Sequence, residues 1–298
     1  MTIVVTGASG QLGHHVVDGL LNAGVPAGDI VAAVRTPAKA ADLAARGVQV
    51  READYDRPET LKAALAGADK VLLISGSEPG RRVPQHQAVV TAAQEAGASL
   101  LAYTSIPYAD SSPLMLAAEH KATEEAIRAS GLSFTFLRNS WYFENYGPSI
   151  ANAAATGTLT GGAGEGRVSA GTRADYAAAA VAVLTGAGHE GQVYELGSDE
   201  AWTYADLADA ISAAAGKPVT YQNLSRSENR AALLAAGLPE GYAEALADSD
   251  EGIAEGYLEV HSGDLARLIG RPVTTLPDAV TAASSRPDAP AGPVTGNA

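Results

Sequence analysis

The chain is 298 residues long, roughly two average domains, so it can bury a core without staples. It has no cysteine, 46% hydrophobic and 18% charged residues, which excludes disulfide scaffolds, thiolate metal sites, a cysteine nucleophile and a disordered or fibrous chain. A formal charge of −14 excludes nucleic acid as the expected partner, because binding a phosphate backbone needs clustered Lys and Arg.

Residues 3–6 are a β-branched run, followed by glycines and then by apolar residues at helical spacing: Leu12, Val16, Val17, Leu20 and Leu21. That pattern predicts strand, turn and helix. The unit recurs, with a strand over 30–34, an Ala-rich helix over 37–46 and a strand over 48–51. Asp56 reads as the cap of a helix that has Pro58 in its first turn and Glu59 at the third position. A strand over 71–74, a helix over 85–96, a strand over 100–104, a helix over 117–130 and a strand over 134–137 follow. Continuous apolar strands alternating with helices predict a parallel sheet covered on both faces, the doubly wound α/β or Rossmann class.

Beyond residue 140 the alternation loosens. A hairpin is expected across 163–167, Thr172 with Asp175 and Thr203 with Asp206 read as capping-box helix starts, and 193–196 reads as a strand returning to the main sheet. The chain is accordingly divided into a dinucleotide-binding domain over 1–140, a smaller C-terminal α/β substrate lobe over 141–283, partly interleaved with the first, and a disordered tail over 284–298. The seven acids over 240–259, with no Lys or Arg among them, read as a solvated helical face. No stretch reaches the ~18 apolar residues of a membrane span, and the first residues lack the basic lead-in of a signal peptide. A cytoplasmic protein is expected.

Gly7-Ala8-Ser9-Gly10-Gln11-Leu12-Gly13 follows the first strand and opens the first helix, the context in which a glycine pattern signals a dinucleotide site. The first glycine permits a tight turn, the second lets backbone N–H groups approach a pyrophosphate, and the third allows close packing of helix on strand. At the end of the second strand, where an acid would bind the ribose hydroxyls of NAD, stands Arg35, twenty-two positions after Gly13. A guanidinium can fork around a 2′-phosphate and stack on adenine, and Lys39 adds a second positive charge, so NADPH is the expected cofactor. Asp54 after the third strand is a candidate acceptor for the adenine amino group. Ser75, Gly76 and Ser77 after the fourth are small enough to pass beside the ribose and nicotinamide. Turn formation is the alternative use of each.

With these residues in place the sequence resembles the NmrA-like branch of atypical short-chain dehydrogenase/reductases, and within it the type 2 NAD(P)H:quinone oxidoreductases. The resemblance runs up to about residue 283 and rests on long stretches. They include Thr6-Gly-Ala-Ser-Gly-Gln-Leu-Gly-His14, Val34-Arg-Thr-Pro-Ala-Lys39, Pro84-Gln-His86, Leu137-Arg-Asn-Ser-Trp-Tyr-Phe-Glu-Asn-Tyr146 and Thr172-Arg-Ala-Asp-Tyr-Ala-Ala-Ala178. The wider superfamily places a Ser at the end of strand five and a Tyr and Lys four apart on the next helix. Here Ser105 fills the first place, but Leu116 stands for the Tyr and His120 for the Lys, so the usual proton donor is missing. Quinone reduction survives that loss, because it forms a stabilised aryloxide that water or a modest donor can protonate. The resemblance further implies that the segment after strand six lines the nicotinamide and substrate. Asn139, Trp141 and Tyr142 are then expected against the cofactor and Phe143, Glu144 and Tyr146 against substrate, with Asn145 donating to a quinone oxygen. Tyr103 and His120 are further candidates for proton delivery. The expectation is direct, flavin-independent hydride transfer from NADPH to a small quinone, with no metal and no membrane span; a homodimer is one candidate assembly, which the sequence does not decide. The alternative is an NmrA-type redox sensor that binds NAD(P) without turnover.

Overall fold

A computed structural model describes residues 1–78 and 80–284; of the expected tail, residues 285–298 lie outside the described residues. In chain order the elements begin β1 (Ile3–Thr6), α1 (Gln11–Asn22), β2 (Ile30–Val34), α2 (Ala41–Ala45), β3 (Gln49–Glu52), α3 (Pro58–Leu65) and β4 (Lys70–Leu73). Next come α4 (Arg82–Ala96), β5 (Leu100–Ser105), α5 (Met115–Ala129), β6 (Phe134–Asn139), α6 (Gly147–Thr156), β7 (Thr158–Gly161) and α7 (Arg173–Thr185). The last are β8 (Gln192–Leu196), α8 (Tyr204–Ala215), β9 (Thr220–Asn223), α9 (Arg226–Ala235), α10 (Glu240–Ala254), α11 (Asp264–Ile269) and α12 (Leu276–Ser284).

Seven strands among the described residues form one parallel sheet in the order β3-β2-β1-β4-β5-β6-β8. Alternation along each strand sends side chains to opposite faces. Ile3 and Val5 pack with Leu12 and Val16 of α1 and with α7 on one side, whereas Val4, Leu73 and Tyr103 pack with α3 and α4 on the other. The doubly wound class thus follows from inner strands such as β1, β2 and β5, which are buried at every position and so need cover on both faces. The strand expected over 193–196 forms as β8 and pairs with β6. With α7 packed on α1, residues late in the chain cover the same face of the sheet as the first helix.

Several local expectations fail for identifiable reasons. The helix over 37–46 is a 3-10 turn, Pro37–Ala40, followed by the single short helix α2, because Ala40 leaves helical geometry at φ −119 and ψ 25. Asp56 does not cap α3, which starts one residue later on Arg57. Its carboxylate instead accepts from Arg81 Nη2 at 2.9 Å and Gln85 Nε2 at 3.2 Å, tying the loop to α4. No strand pair spans 163–167; β7 pairs in parallel with β9, about sixty residues further on. The capping boxes at Thr172 and Thr203 are both made, and a third, Ser225 with Glu228, starts α9.

The acidic run of 240–259 is only partly a solvated face. Glu240 and Glu244 pair with Arg230, Glu244, Asp248 and Glu251 pair with Arg226, and Asp250 accepts from Tyr204, Asn229 and the Gly162 N–H. The cations sit on α9, outside the run itself. No helix among the described residues is long and apolar enough to cross a membrane.

Candidate active site

The sheet reverses its order of growth at β1 and β4, the switch point at which open α/β sheets form their ligand crevice beyond the carboxyl ends of the strands. Gly7 turns the chain at φ +62, in the left-handed region that favours glycine. A side chain at Gly13 would put its Cβ 2.7 Å from Ala8 Cα, so only glycine lets α1 pack this closely on the turn. Gly10 caps α1 in extended conformation without a side-chain bond, and the first helical bond runs from the His14 N–H to Gly10 O at 2.9 Å. The leading N–H groups of Gln11, Leu12 and Gly13 therefore lack a capping side chain at the positive end of the helix dipole. Such an end accepts a pyrophosphate. Ala8 is buried and Ser9 half-buried in the turn beneath it. Thr6 stitches this base together, accepting the Ile74 N–H at 3.1 Å and lying against the Tyr55 hydroxyl, which reaches across from the loop after β3.

One end of the crevice is rimmed by exposed charges. Arg35 Nη1 lies 3.2 Å from Glu78 Oε1, Glu78 also pairs with Arg81, and Arg81 pairs with Asp56. Lys39 is exposed on the 3-10 turn beside Arg35. Asp54 is half-buried, with its Oδ1 accepting the Asp56 N–H at 3.1 Å. Behind this rim His14 bridges Asp18 and Asp42, joining α1 to α2; the bond to Asp42 raises its pKa against the opposing effect of burial.

Buried polar groups line the other end. Ser75 is buried and its N–H donates to Thr104 Oγ1 at 2.9 Å; Gly76 and Ser77 are half-buried. At the end of β6 Asn139 Nδ2 donates to the Tyr142 hydroxyl at 3.2 Å, while Asn139 Oδ1 is buried with no partner among the described residues. Burial pushes the Tyr142 hydroxyl up to about 12. The Arg173 guanidinium lies over the Tyr142 ring, 4.8 Å from its centroid, and donates through Nη2 to Asn145 Oδ1 at 3.0 Å. Glu144 accepts the Arg173 N–H at 2.9 Å, so this acid closes the first turn of α7. Arg173 was not among the expected site residues. Its signal lay inside the Thr172 motif, at the first position of a capped helix, where helix-start chemistry masked it.

The structure separates the rest of the expected set. Trp141, Phe143 and Tyr146 are buried, and Phe143 and Tyr146 form an aromatic cluster with Trp202 and Tyr204 in the second lobe. Phe143 also lines a cleft of about 290 Å³ with Trp202, Thr172, Asp206 and Leu276, which none of the glycine-turn residues reaches. Tyr103 and His120 are fully buried and bonded to each other, Tyr103 Oη to His120 Nδ1 at 2.7 Å. Burial holds the imidazole of His120 well below its ordinary value and the phenol of Tyr103 above its own, so both stay neutral. Ser105 is buried too and donates to Glu124 Oε1 at 2.7 Å, which takes it out of the role that the superfamily pattern gives it. Glu124 in turn accepts from Arg138 Nε at 2.9 Å and Nη2 at 2.8 Å.

The chain matches the NmrA-like family over residues 1–268. Quinone oxidoreductase 2 of Escherichia coli (strain K12) is 52% identical over 279 residues, which cover 94% of this chain and 97% of that protein. The crystal structure of the Escherichia coli NADPH-dependent quinone oxidoreductase complexed with NADPH matches with a TM-score of 0.92, over 94% of this chain and 99% of that one. The Citrobacter sp. triphenylmethane reductase complexed with NADP(H) matches with a TM-score of 0.91 at 41% identity, over 95% of this chain and all of that one, 100%.

Proposed function

This chain belongs to the NmrA-like family, and from that membership we propose that it is an NADPH-dependent quinone oxidoreductase that works without flavin. The observation that carries the reading is the 52% identity to quinone oxidoreductase 2 across nearly the whole of both chains. The geometry supplies the means. An uncapped α1 N-terminus fits a pyrophosphate, Arg35 and Lys39 fit the ribose 2′-phosphate, and the unpartnered Asn139 Oδ1 fits a carboxamide N–H. Bound there, NADPH supplies the hydride.

The remaining work falls to the end of β6 and the start of α7. A guanidinium only donates, so the Asn145 atom facing Arg173 is its amide oxygen, and the NH2 group is left to donate elsewhere. The positive charge polarises that amide, and both groups oppose the negative charge that develops on a quinone oxygen. Protonation of an aryloxide needs no strong acid, which is consistent with Leu116 in place of a tyrosine. Tyr103 and His120, buried and paired, are positioning groups under the site in this reading rather than proton donors, because neither presents an edge to the crevice. The residues 141–283 supply the substrate side, with Phe143, Glu144 and Tyr146 at its root.

Steady oxidation of NADPH on adding a benzoquinone or naphthoquinone, by colourless protein, tests the reading. Tight cofactor binding without turnover would favour a sensor instead, and yellow protein would overturn the flavin-free mechanism. Asn145→Ala is expected to lower kcat about 100-fold with little change in NADPH binding, the lower end of what loss of one oxyanion donor costs.

A further inference from the structure

The loop after β4 is built of Ser75, Gly76 and Ser77, which have little side chain to hold it, yet the Gly76 peptide groups are clamped from two directions. Its N–H donates to His86 Nε2 at 2.9 Å, and its carbonyl accepts from Arg82 Nε at 2.6 Å. Arg82 and His86 lie four residues apart on α4, hence on one helix face, and each is only 1% exposed. A Cβ at Gly76 would lie 3.2 Å from Gln85 Oε1, so the loop is seated close against the same helix.

Proton positions follow without choice. A backbone N–H only donates, so His86 Nε2 presents its lone pair, and Nδ1 carries the hydrogen. Nδ1 then donates to Thr123 Oγ1 at 3.0 Å, and the Thr123 hydroxyl donates to Glu119 O at 2.8 Å. The direction of this relay, from Gly76 through His86 and Thr123 to the backbone of α5, is unique. Burial and the nearby Arg82 charge hold the His86 imidazole down to about 3, so it stays a neutral acceptor at working pH.

We propose that His86 is a positioning residue for the nicotinamide half of the cofactor: with Arg82 it fixes the Gly76 backbone, and with it the path of Ser75 and Ser77 beside the nicotinamide ribose, without touching the cofactor. The proposal rests on the reading of the crevice given above. It assigns to buried helix residues the precision that an unstructured serine-glycine-serine loop cannot supply alone.

His86→Leu keeps similar bulk and leaves the Gly76 N–H without its acceptor. His86→Gln restores an acceptor at about the same reach. Two ligands are titrated by calorimetry: NADPH, and the adenosine bisphosphate that carries the ribose 2′-phosphate but no nicotinamide. The expected result for His86→Leu is an NADPH affinity lower by about 5- to 100-fold, the range for stranding one buried donor, together with a lower kcat. Affinity for the bisphosphate stays at the parental value, and His86→Gln recovers most of the NADPH affinity. Equal losses for both ligands, or none for either, would overturn the proposal. If His86→Leu fails to fold, Thr123→Val, which removes the acceptor on the far nitrogen along with the hydroxyl's own bond to Glu119 O, must show the same selective pattern at smaller size, and its absence there overturns the proposal equally. A parent protein that binds neither ligand would instead sink the functional reading on which the proposal stands.

Discussion

The two ends of the crevice solve the same task with opposite materials. At the β2 end Arg35, Glu78, Arg81 and Asp56 are charged, exposed and paired with one another at the rim. At the other end the polar groups are buried: Arg138 of β6 and Glu124 of α5 as an ion pair, His86 and His120 as neutral rings. Exposed pairs are weak and exchangeable, so they can be displaced by an arriving phosphate at small cost. Buried groups are stiff because any partner removed leaves another stranded. With the cofactor placed as proposed, the contrast teaches that recognition of its charged end is adjustable, whereas the geometry around its reactive end is fixed during folding.

The largest effect should come from breaking the buried pair. Glu124 is 1% exposed and gives both carboxylate oxygens to Arg138, which also reaches Glu195 Oε1 at 2.7 Å. Glu124→Leu is expected to destabilise the fold by about 3–5 kcal/mol, the usual range when a buried charge loses its partner. Urea denaturation measures it, and a loss below ~1 kcal/mol would show that solvent already shares the pair.

Acid comes next, because His86 and His120 are buried neutral with pKa values below the ordinary one. The unfolded chain binds protons at these sites near pH 6.5 and the folded chain does not, so stability is full above that pH and falls as pH drops below it. Each histidine contributes a slope of up to about 1.4 kcal/mol per pH unit. Denaturation midpoints between pH 6.5 and 5 isolate this from ordinary carboxylates, which titrate lower. His14 has the opposite sign: its pKa is raised, so its contribution is complete below the unfolded value and fades as pH rises through the folded one. A flat profile from pH 7 to 5 would contradict the neutral buried rings.

At the exposed end Arg35→Ala should weaken NADPH by about 10- to 100-fold, as loss of a charged hydrogen bond of ~1.5–3 kcal/mol implies, and leave NADH nearly unchanged. Calorimetry with both nucleotides checks it. Equal losses would mean that Arg35 serves both cofactors alike and does not read the phosphate.

How much of this was legible in the sequence follows the same division. Strand runs such as 3–6 and 30–34, the glycine turn and the two threonine capping boxes are local, and local rules find them. The placement of Arg35, exposed just past β2, was legible because it depends on one position at the end of one strand. The pairing of β7 with β9 was not, since short strands sixty residues apart carry no mutual signal, and the glycines over 163–167 read as a local hairpin instead. Asp56 had the letters of a cap, but Arg81 and Gln85 from a later helix took its carboxylate. The buried end was hardest to read. Ser105 matched a catalytic pattern, and only the arrival of Glu124 from α5 shows that its hydroxyl is occupied. Arg173 and His86 were inside quoted motifs, yet their partners, Asn145 and Gly76, lie on other elements.

The smallest effect sharpens the comparison furthest, because it tests whether the rim restrains binding as well as supporting it. Glu78 holds Arg35 and Arg81 at once, and in the proposed reading an arriving 2′-phosphate competes with it for Arg35. Glu78→Gln removes that competitor while keeping size and polarity. An exposed pair of this kind is worth ~0.2–1 kcal/mol, so the NADPH affinity should rise by about 1.4- to 5-fold, with no gain for NADH. The gain should shrink as salt is added, because screening over ~8 Å at physiological ionic strength weakens the original competition. A fall in NADPH affinity would mean the reverse relation: that Glu78 aims Arg35 at the phosphate, and that the exposed end of the crevice is as preorganised as the buried one.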